Sequence, residues 1–229
     1  MVFHAPLEAL IVPESGAETE NDPGCVRALN VTLAAMAAVA SYLLGSIPSA
    51  LIAARLAGRP DPRTVGTGNA GSTNVALTVG PAAGIAVFLA DLLKGTVCGI
   101  AGLAIGGPLV GDACVLAAAI GQIAPVFAGF RGGKGAATTL GGYLGIAPAL
   151  GVLGLACWGI GLVTIRRGII ATVTAIVALG IVTVVIGEHQ LMGVGSAVLT
   201  VVAHRTHLSA WRRGEMPTIR QALRDNRRQ

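Results

Sequence analysis

Long runs of apolar residues with few charges dictate the solvent in which this chain folds. The first covers residues 29–54, the second 79–105 and the third 109–130. Further runs cover 135–147, 149–165, 168–186 and 191–203. About 20 apolar residues cross the hydrocarbon of a bilayer as a helix. Only helices and closed barrels cross it, because no water is there to satisfy a loose backbone group. Charged residues make up 12% of the chain, against about 25% in a soluble domain. The reading is therefore an all-α, polytopic membrane helix bundle with about seven transmembrane helices. Because 135–147 is short, a second count also fits: five crossings plus re-entrant segments. The 33 glycines suit either count, since small residues let membrane helices approach closely.

Charge placement orients the bundle. With the N-terminus outside, Arg55, Arg59, Arg63, Arg131, Lys134, Arg166, Arg167 and the arginines from Arg205 onward all fall inside. The outer loops then carry Asp112 and Glu188 but no Lys or Arg, which is the positive-inside pattern. Residues 1–28 read as an acidic, flexible tail with Glu8, Glu14, Glu18, Glu20 and Asp22 against Arg27; a signal peptide would begin with basic residues. Residues 29–209 form the membrane domain, and 210–229 a basic cytoplasmic tail that fixes orientation or touches anionic lipid. Cys25, Cys98, Cys114 and Cys157 are scattered and read as small core residues.

Three polar clusters fall on the same predicted inner face. The first is Gly45-Ser46-Ile47-Pro48, Arg55 and the loop DPRTVGTGNAGSTN from Asp61 to Asn74. Its G-x-G-x-x-G lacks the strand–helix context of a dinucleotide site. Its glycines can still form an anion-binding nest, with Thr67, Asn69, Ser72, Thr73 and Asn74 adding neutral hydrogen-bonding groups. The second is GQIAPVFAGFRGGKGAATT, Gly121 to Thr139. There Gly132, Gly133 and Gly135 bracket Lys134 and offer close backbone approach and a point charge to an anion. It is not a Walker A loop, because Gly135 stands where Ser or Thr would follow the lysine. The third is HRTHLSAWRRGE, with His204 and His207 on one side of a helix; two histidines without a carboxylate are not a metal site. Asp91 and Lys94, three residues apart inside an apolar run, are either a structural ion pair or a substrate contact.

These linked motifs resemble the bacterial acyl-phosphate:glycerol-3-phosphate acyltransferases, over about residues 42 to 215. GSIPSALIAARLAG, DPRTVGTGNAGSTN, DLLKG, GQIAPVFAGFRGGKGAATT and HRTHLSAWRRGE follow that family's order and spacing. Leu77 stands where the family usually has Arg, Gln122 for a His, Ala124 for an aromatic and His207 for an Asn. The resemblance implies transfer of a fatty acyl group from acyl phosphate to the 1-hydroxyl of glycerol 3-phosphate in a bacterial plasma membrane. The products are lysophosphatidic acid and phosphate. Ser46, Arg55 and His204 would be catalytic. Arg63, Thr67, Asn69, Asn74, Gly132, Gly133, Lys134, Gly135 and His207 would bind substrate, and Glu215 would be structural. No metal or organic cofactor and no nucleic-acid partner is implied; membrane lipid is. The other readings are a non-catalytic paralogue, or a transporter of a phosphorylated metabolite, which should show internal repeats that this sequence lacks.

Overall fold

Pro48 decides where the first apolar run stops being one helix. The computed structural model describes residues 23–165 and 168–213, without the side chains of 23–26, 206–208, 210 and 211. Residues 1–22, Arg166, Arg167, the Cys25 and His207 side chains, Glu215 and the tail beyond 213 lie outside the described residues, while 23–28, expected as the end of a flexible tail, are helical. Helix α1 (Pro23–Gly45) ends at Gly45, and α2 (Ser49–Leu56) restarts after Pro48. The run 29–54 is thus two helices, because proline lacks the N–H and clashes with the preceding turn. Then follow α3 (Ser72–Thr78), α4 (Pro81–Ile123), a 3₁₀ turn (Val126–Ala128), α5 (Ala136–Ile146), α6 (Pro148–Ile165), α7 (Gly168–Ile186) and α8 (Gln190–Arg212). All regular structure among the described residues is helical.

Although continuous in hydrogen bonding, α4 is a hairpin. Gly106 and Gly107 leave helical geometry, Gly107 at φ 72°, and Pro108 follows. The left-handed value is accessible because glycine has no Cβ. The chain then folds back, and a Cβ on Gly102 would meet the Val110 carbonyl at 2.8 Å and Cys114 Cβ at 2.9 Å. The third run, 109–130, is helical only to Ile123.

Helix α5 packs chiefly against this hairpin. It has 11 residues, about 16 Å at 1.5 Å per residue, half the hydrocarbon thickness. Its contact with the first arm of α4 is backbone to backbone: a Cβ on Gly95 would collide with the Thr138 carbonyl, and one on Gly141 with the Leu92 carbonyl. Along the second arm, a Cβ on Gly45 would strike the Ala118 carbonyl and one on Gly121 the Tyr42 carbonyl, so α1 is seated just as closely. Helices α6, α7 and α8 complete the bundle. Trp158 of α6 stacks on Phe88 of α4 with centroids 5.2 Å apart and donates its indole N–H to the Thr172 hydroxyl at 3.1 Å. At the hairpin-turn end, Asp112 binds the His189 ring at 2.7 Å and accepts from the Met192 N–H at 3.2 Å, fastening the start of α8.

Arg27–Leu56, Pro81–Ala128, Pro148–Ile165 and Gly168–Ile186 are long and apolar enough to cross a membrane. Large apolar side chains face outward, as with Val163 at 74% and Val185 at 78% exposed, while Ser46, Asn74, Asp91, Lys94 and Gln122 are buried. That inversion suits lipid as solvent. Cys98 and Cys114 are buried as expected; Cys157 is exposed.

Replacing Gly95 by Ala should lower thermal stability in detergent by roughly 1–3 kcal/mol, the cost of overpacking a tight core. Gly159→Ala, where a Cβ meets nothing within 4 Å, should leave the melting temperature near wild type.

Candidate functional site

The site is built at the end of the bundle opposite the α4 hairpin turn, where the break after α1 meets both arms of α4. Lys94, in the first arm, is buried. A buried ammonium needs its donors satisfied. Its Nζ donates to the Ile47 carbonyl at 2.5 Å, to Asp91 Oδ1 at 2.9 Å and to Gln122 Oε1 at 3.2 Å. Gln122 Nε2 donates to Asp91 Oδ2 at 3.0 Å, and Ser49, the first residue of α2, also hydrogen-bonds Asp91. The structure thus joins Asp91 and Lys94 as an ion pair and ties the Ser46–Pro48 break to it.

Ser46 is wholly buried, and its hydroxyl donates to the Tyr42 carbonyl at 2.8 Å. The Tyr42 hydroxyl in turn donates to the Ala124 carbonyl at 2.9 Å. Arg55 lies exposed in the last turn of α2.

The first loop is self-supporting. Asn74, buried at the start of α3, donates to the Pro62 and Val65 carbonyls at 2.6 and 3.1 Å and accepts the Thr67 N–H at 2.8 Å. Its side chain is committed to shaping the loop; Thr67 is exposed and Asn69 half-buried. Arg63 is committed as well. Its Nη2 donates to Asp61 Oδ2 at 2.7 Å, its Nε to both Asp61 oxygens, and its Nη1 to the Ala128 carbonyl at 2.8 Å. This guanidinium clips the first loop to the second. It holds the Asp61 carboxyl below its ordinary range, and Asp61 raises the Arg63 guanidinium in return.

In the second loop the Gly132 N–H donates to the Ile123 carbonyl at 3.1 Å and the Gly133 N–H to the Gln122 carbonyl at 2.9 Å. Both N–H groups are therefore used within the protein. What the glycines supply is close approach, since a Cβ on Gly132 would strike the Gln122 carbonyl. Gly135, at φ 73°, starts α5. Between them Lys134 is half-buried, and desolvation pushes its amine down to about 8. Among the described residues the carboxylates are Asp61, Asp91, Asp112 and Glu188. Asp61 is held by Arg63, Asp91 by Lys94 and Asp112 by His189, and Glu188 sits in the turn before α8, beside His189. Lys134 therefore has no carboxylate partner there. A desolvated cation without a counter-ion attracts an anion.

A narrow cleft at the preceding glycines is lined by Pro48, Ser49, Ala70, Gln122, Pro125, Arg131, Gly132 and Gly133 among others. Ser49, Gln122 and Arg131 are absent from the residues expected from sequence. Gln122 carried a signal, as a polar residue inside an apolar run. Arg131 abuts the glycines, whereas Ser49 looks like any other serine. His204 is buried, and its Nδ1 lies 2.8 Å from the Thr200 carbonyl. A carbonyl only accepts, so Nδ1 donates in this contact. Helix α8 runs alongside the second arm of α4, with Met192 against Asp112 and Gly195 against Leu116. Continued at equal rise, this register brings His204 to the level of Ile123 and Ala124. Among the described residues no three His, Cys, Asp or Glu side chains converge as metal ligands.

Comparison with known proteins accords with this geometry. The family model described as Glycerol-3-phosphate acyltransferase matches residues 35–214. A glycerol-3-phosphate acyltransferase of Thioalkalivibrio sulfidiphilus is 39% identical over 191 residues, covering 82% of this chain and 94% of the relative. One from Geobacter sulfurreducens is 40% identical over 180 residues, covering 76% and 91%. Crystal structures of PlsY, an integral membrane glycerol 3-phosphate acyltransferase, align with TM-scores of 0.77 for its glycerol 3-phosphate form and 0.75 for its lysophosphatidic acid form. They are 31% and 30% identical and cover 81% and 83% of this chain, and 94% and 98% of theirs. The matched span holds the α1–α2 break, both loops and His204, and the chain belongs to the glycerol-3-phosphate acyltransferase family.

Proposed function

We propose that this protein transfers a fatty acyl group from acyl phosphate to the 1-hydroxyl of glycerol 3-phosphate, giving lysophosphatidic acid and inorganic phosphate for phospholipid synthesis. The observation that carries this reading is Lys134, half-buried directly after the glycines that line the cleft and with no carboxylate partner among the described residues. One aligned relative, solved in a glycerol 3-phosphate form and a lysophosphatidic acid form, supports it.

The hydroxyl oxygen attacks the acyl carbonyl carbon, the bond from that carbon to the phosphate oxygen breaks, and phosphate leaves with the electron pair. The donor is already activated, so the protein need supply mainly position and positive charge. Lys134, Arg55 and Arg131 are the cations available for the two phosphates, and Asn69 and Thr67 offer neutral contacts. Ser46 lies beside the Ile47 carbonyl that anchors Lys94 and would orient the reacting hydroxyl. His204 is assigned the role of taking the hydroxyl proton, on the family resemblance of its motif. Arg63, Asn74, Gly132, Gly133 and Gly135 would act by holding the two loops in register. His207, outside the described side chains, is proposed as a further phosphate contact.

The protein is placed in the bacterial plasma membrane with its N-terminus outside and the site on the cytoplasmic face. The two arms of α4, with α1, α5, α6, α7 and α8, give seven crossings, and α5 crosses only with the help of the loop before it. Flanking segments precede α1, which begins at Pro23, and follow α8, which ends at Arg212.

The test is purified protein with a long-chain acyl phosphate and radiolabelled glycerol 3-phosphate, with acyl-CoA as a parallel donor. Labelled lysophosphatidic acid should form from acyl phosphate alone. Product from acyl-CoA instead would overturn the donor assignment, and no product from either in folded protein would overturn the reading. Lys134→Ala should raise the KM for glycerol 3-phosphate by about tenfold or more, the cost of one charged contact; a wild-type KM would remove Lys134 from the phosphate site.

A further inference from the structure

The Gln122 side chain hydrogen-bonds both members of the buried ion pair while its own backbone carries the lysine turn. Its amide is used in both directions. The oxygen accepts from Lys94 Nζ at 3.2 Å, and the nitrogen donates to Asp91 Oδ2 at 3.0 Å. Its backbone carbonyl accepts the Gly133 N–H at 2.9 Å, one residue before Lys134. The side chain is buried, and it lines the cleft with Arg131 and Gly133. Few side chains present a donor and an acceptor at once without charge; at this position a neutral histidine could also do so.

We propose that Gln122 is a positioning residue: its neutral two-way amide locks the Asp91–Lys94 pair to the Gly132–Lys134 turn and so holds Lys134 where it meets the phosphate of glycerol 3-phosphate. The proposal rests on reading the site as one for glycerol 3-phosphate. The chain carries the form of this bridge that does not titrate, so its geometry is indifferent to pH. The ionisable groups around it are Asp91 and Lys94 on the first arm of α4, Tyr42 on α1, and Arg131 and Lys134 on the loop.

Two substitutions convert the bridge into a titrating one with opposite signs. Gln122→Glu places a carboxylate oxygen against Asp91 Oδ2, where a donor is required; the proton it takes up as the pH falls restores the donor. Gln122→His keeps a donor and an acceptor while neutral. Protonated, it has two donors and repels Lys94, and histidine ordinarily titrates near 6.5. The experiment measures kcat and the KM for glycerol 3-phosphate in the full chain between about pH 5.5 and 8, as ratios of variant to wild type. Taking ratios cancels the titration of the surrounding groups common to both.

The expected result is that the kcat/KM ratio rises on acidification for Q122E and falls for Q122H. Each should change by about tenfold, mostly through KM, as a hydrogen bond to a charged group is lost or regained. A residue that merely fills space would not give opposite slopes. Flat ratios, or slopes of the same sign, would overturn the proposal. Should Q122E fail to fold, the slope of Q122H alone decides, because its neutral ring keeps both contacts at pH 8. If the wild-type protein acylates no glycerol 3-phosphate, the reading of the site fails first and takes this inference with it; an active wild type with flat variants overturns the inference alone.

Discussion

An ammonium buried between apolar helices has to be hydrogen-bonded at every turn, and Lys94 meets that demand with acceptors from three segments. The Ile47 carbonyl is available only because Pro48 stops α1 and frees the backbone there. Asp91 lies on the lysine's own arm, and Gln122 on the other. The break, the closing of the hairpin and the seat of the lysine turn are therefore one construction. Such a pair gives little net stability, because desolvation offsets most of the attraction. What it provides is register: a shift of either α4 arm by one residue leaves a buried charge without partners.

Around this network the helices meet through glycine rather than through interdigitated side chains. Gly95 and Gly141 bring α5 onto the first arm, while Gly45 and Gly121 seat α1 on the second. In lipid no hydrophobic force drives such contacts, so close backbone packing takes its place. The result is a rigid floor beneath two loops that are internally braced. The Asp61–Arg63 clip and the Asn74 amide hold the first loop, and the pairing of Gly132 and Gly133 with the end of α4 holds the second. With those polar groups satisfied internally, Lys134 stands out as a half-buried cation without a described carboxylate partner, which is the electrostatic asymmetry an anionic substrate requires.

The helical bundle was legible in the apolar runs, and the spacing of Asp91 and Lys94 pointed to the ion pair the structure contains. The motifs marked out the two loops that the structure clips together through Arg63, because Gly, Asn and Lys in such density at a membrane boundary have few structural uses. Division of labour within the loops was not legible. Arg63 and Lys134 look alike in sequence, yet one is spent on Asp61 and the Ala128 carbonyl, and the other has no carboxylate partner among the described residues. Only tertiary pairing tells them apart. For the same reason Gln122 reads as a lone polar residue until both arms of α4 are brought together. The split of the first run at Pro48 was written in the chain, but hydrophobicity alone ran across it.

In the proposed reading phosphate is held by Lys134, whose amine burial lowers to about 8. The most direct measurement is calorimetric binding of glycerol 3-phosphate to the purified protein without acyl donor, from pH 7 to 9.5. The ligand's own second ionisation, near pH 6, is complete over that range. A group whose charged form binds loses its contribution as pH rises through its pKa. The affinity should therefore hold to about pH 8 and then fall by about tenfold per pH unit, the slope for loss of one proton. An affinity unchanged to pH 9.5 in folded protein would mean that Lys134 does not hold the phosphate.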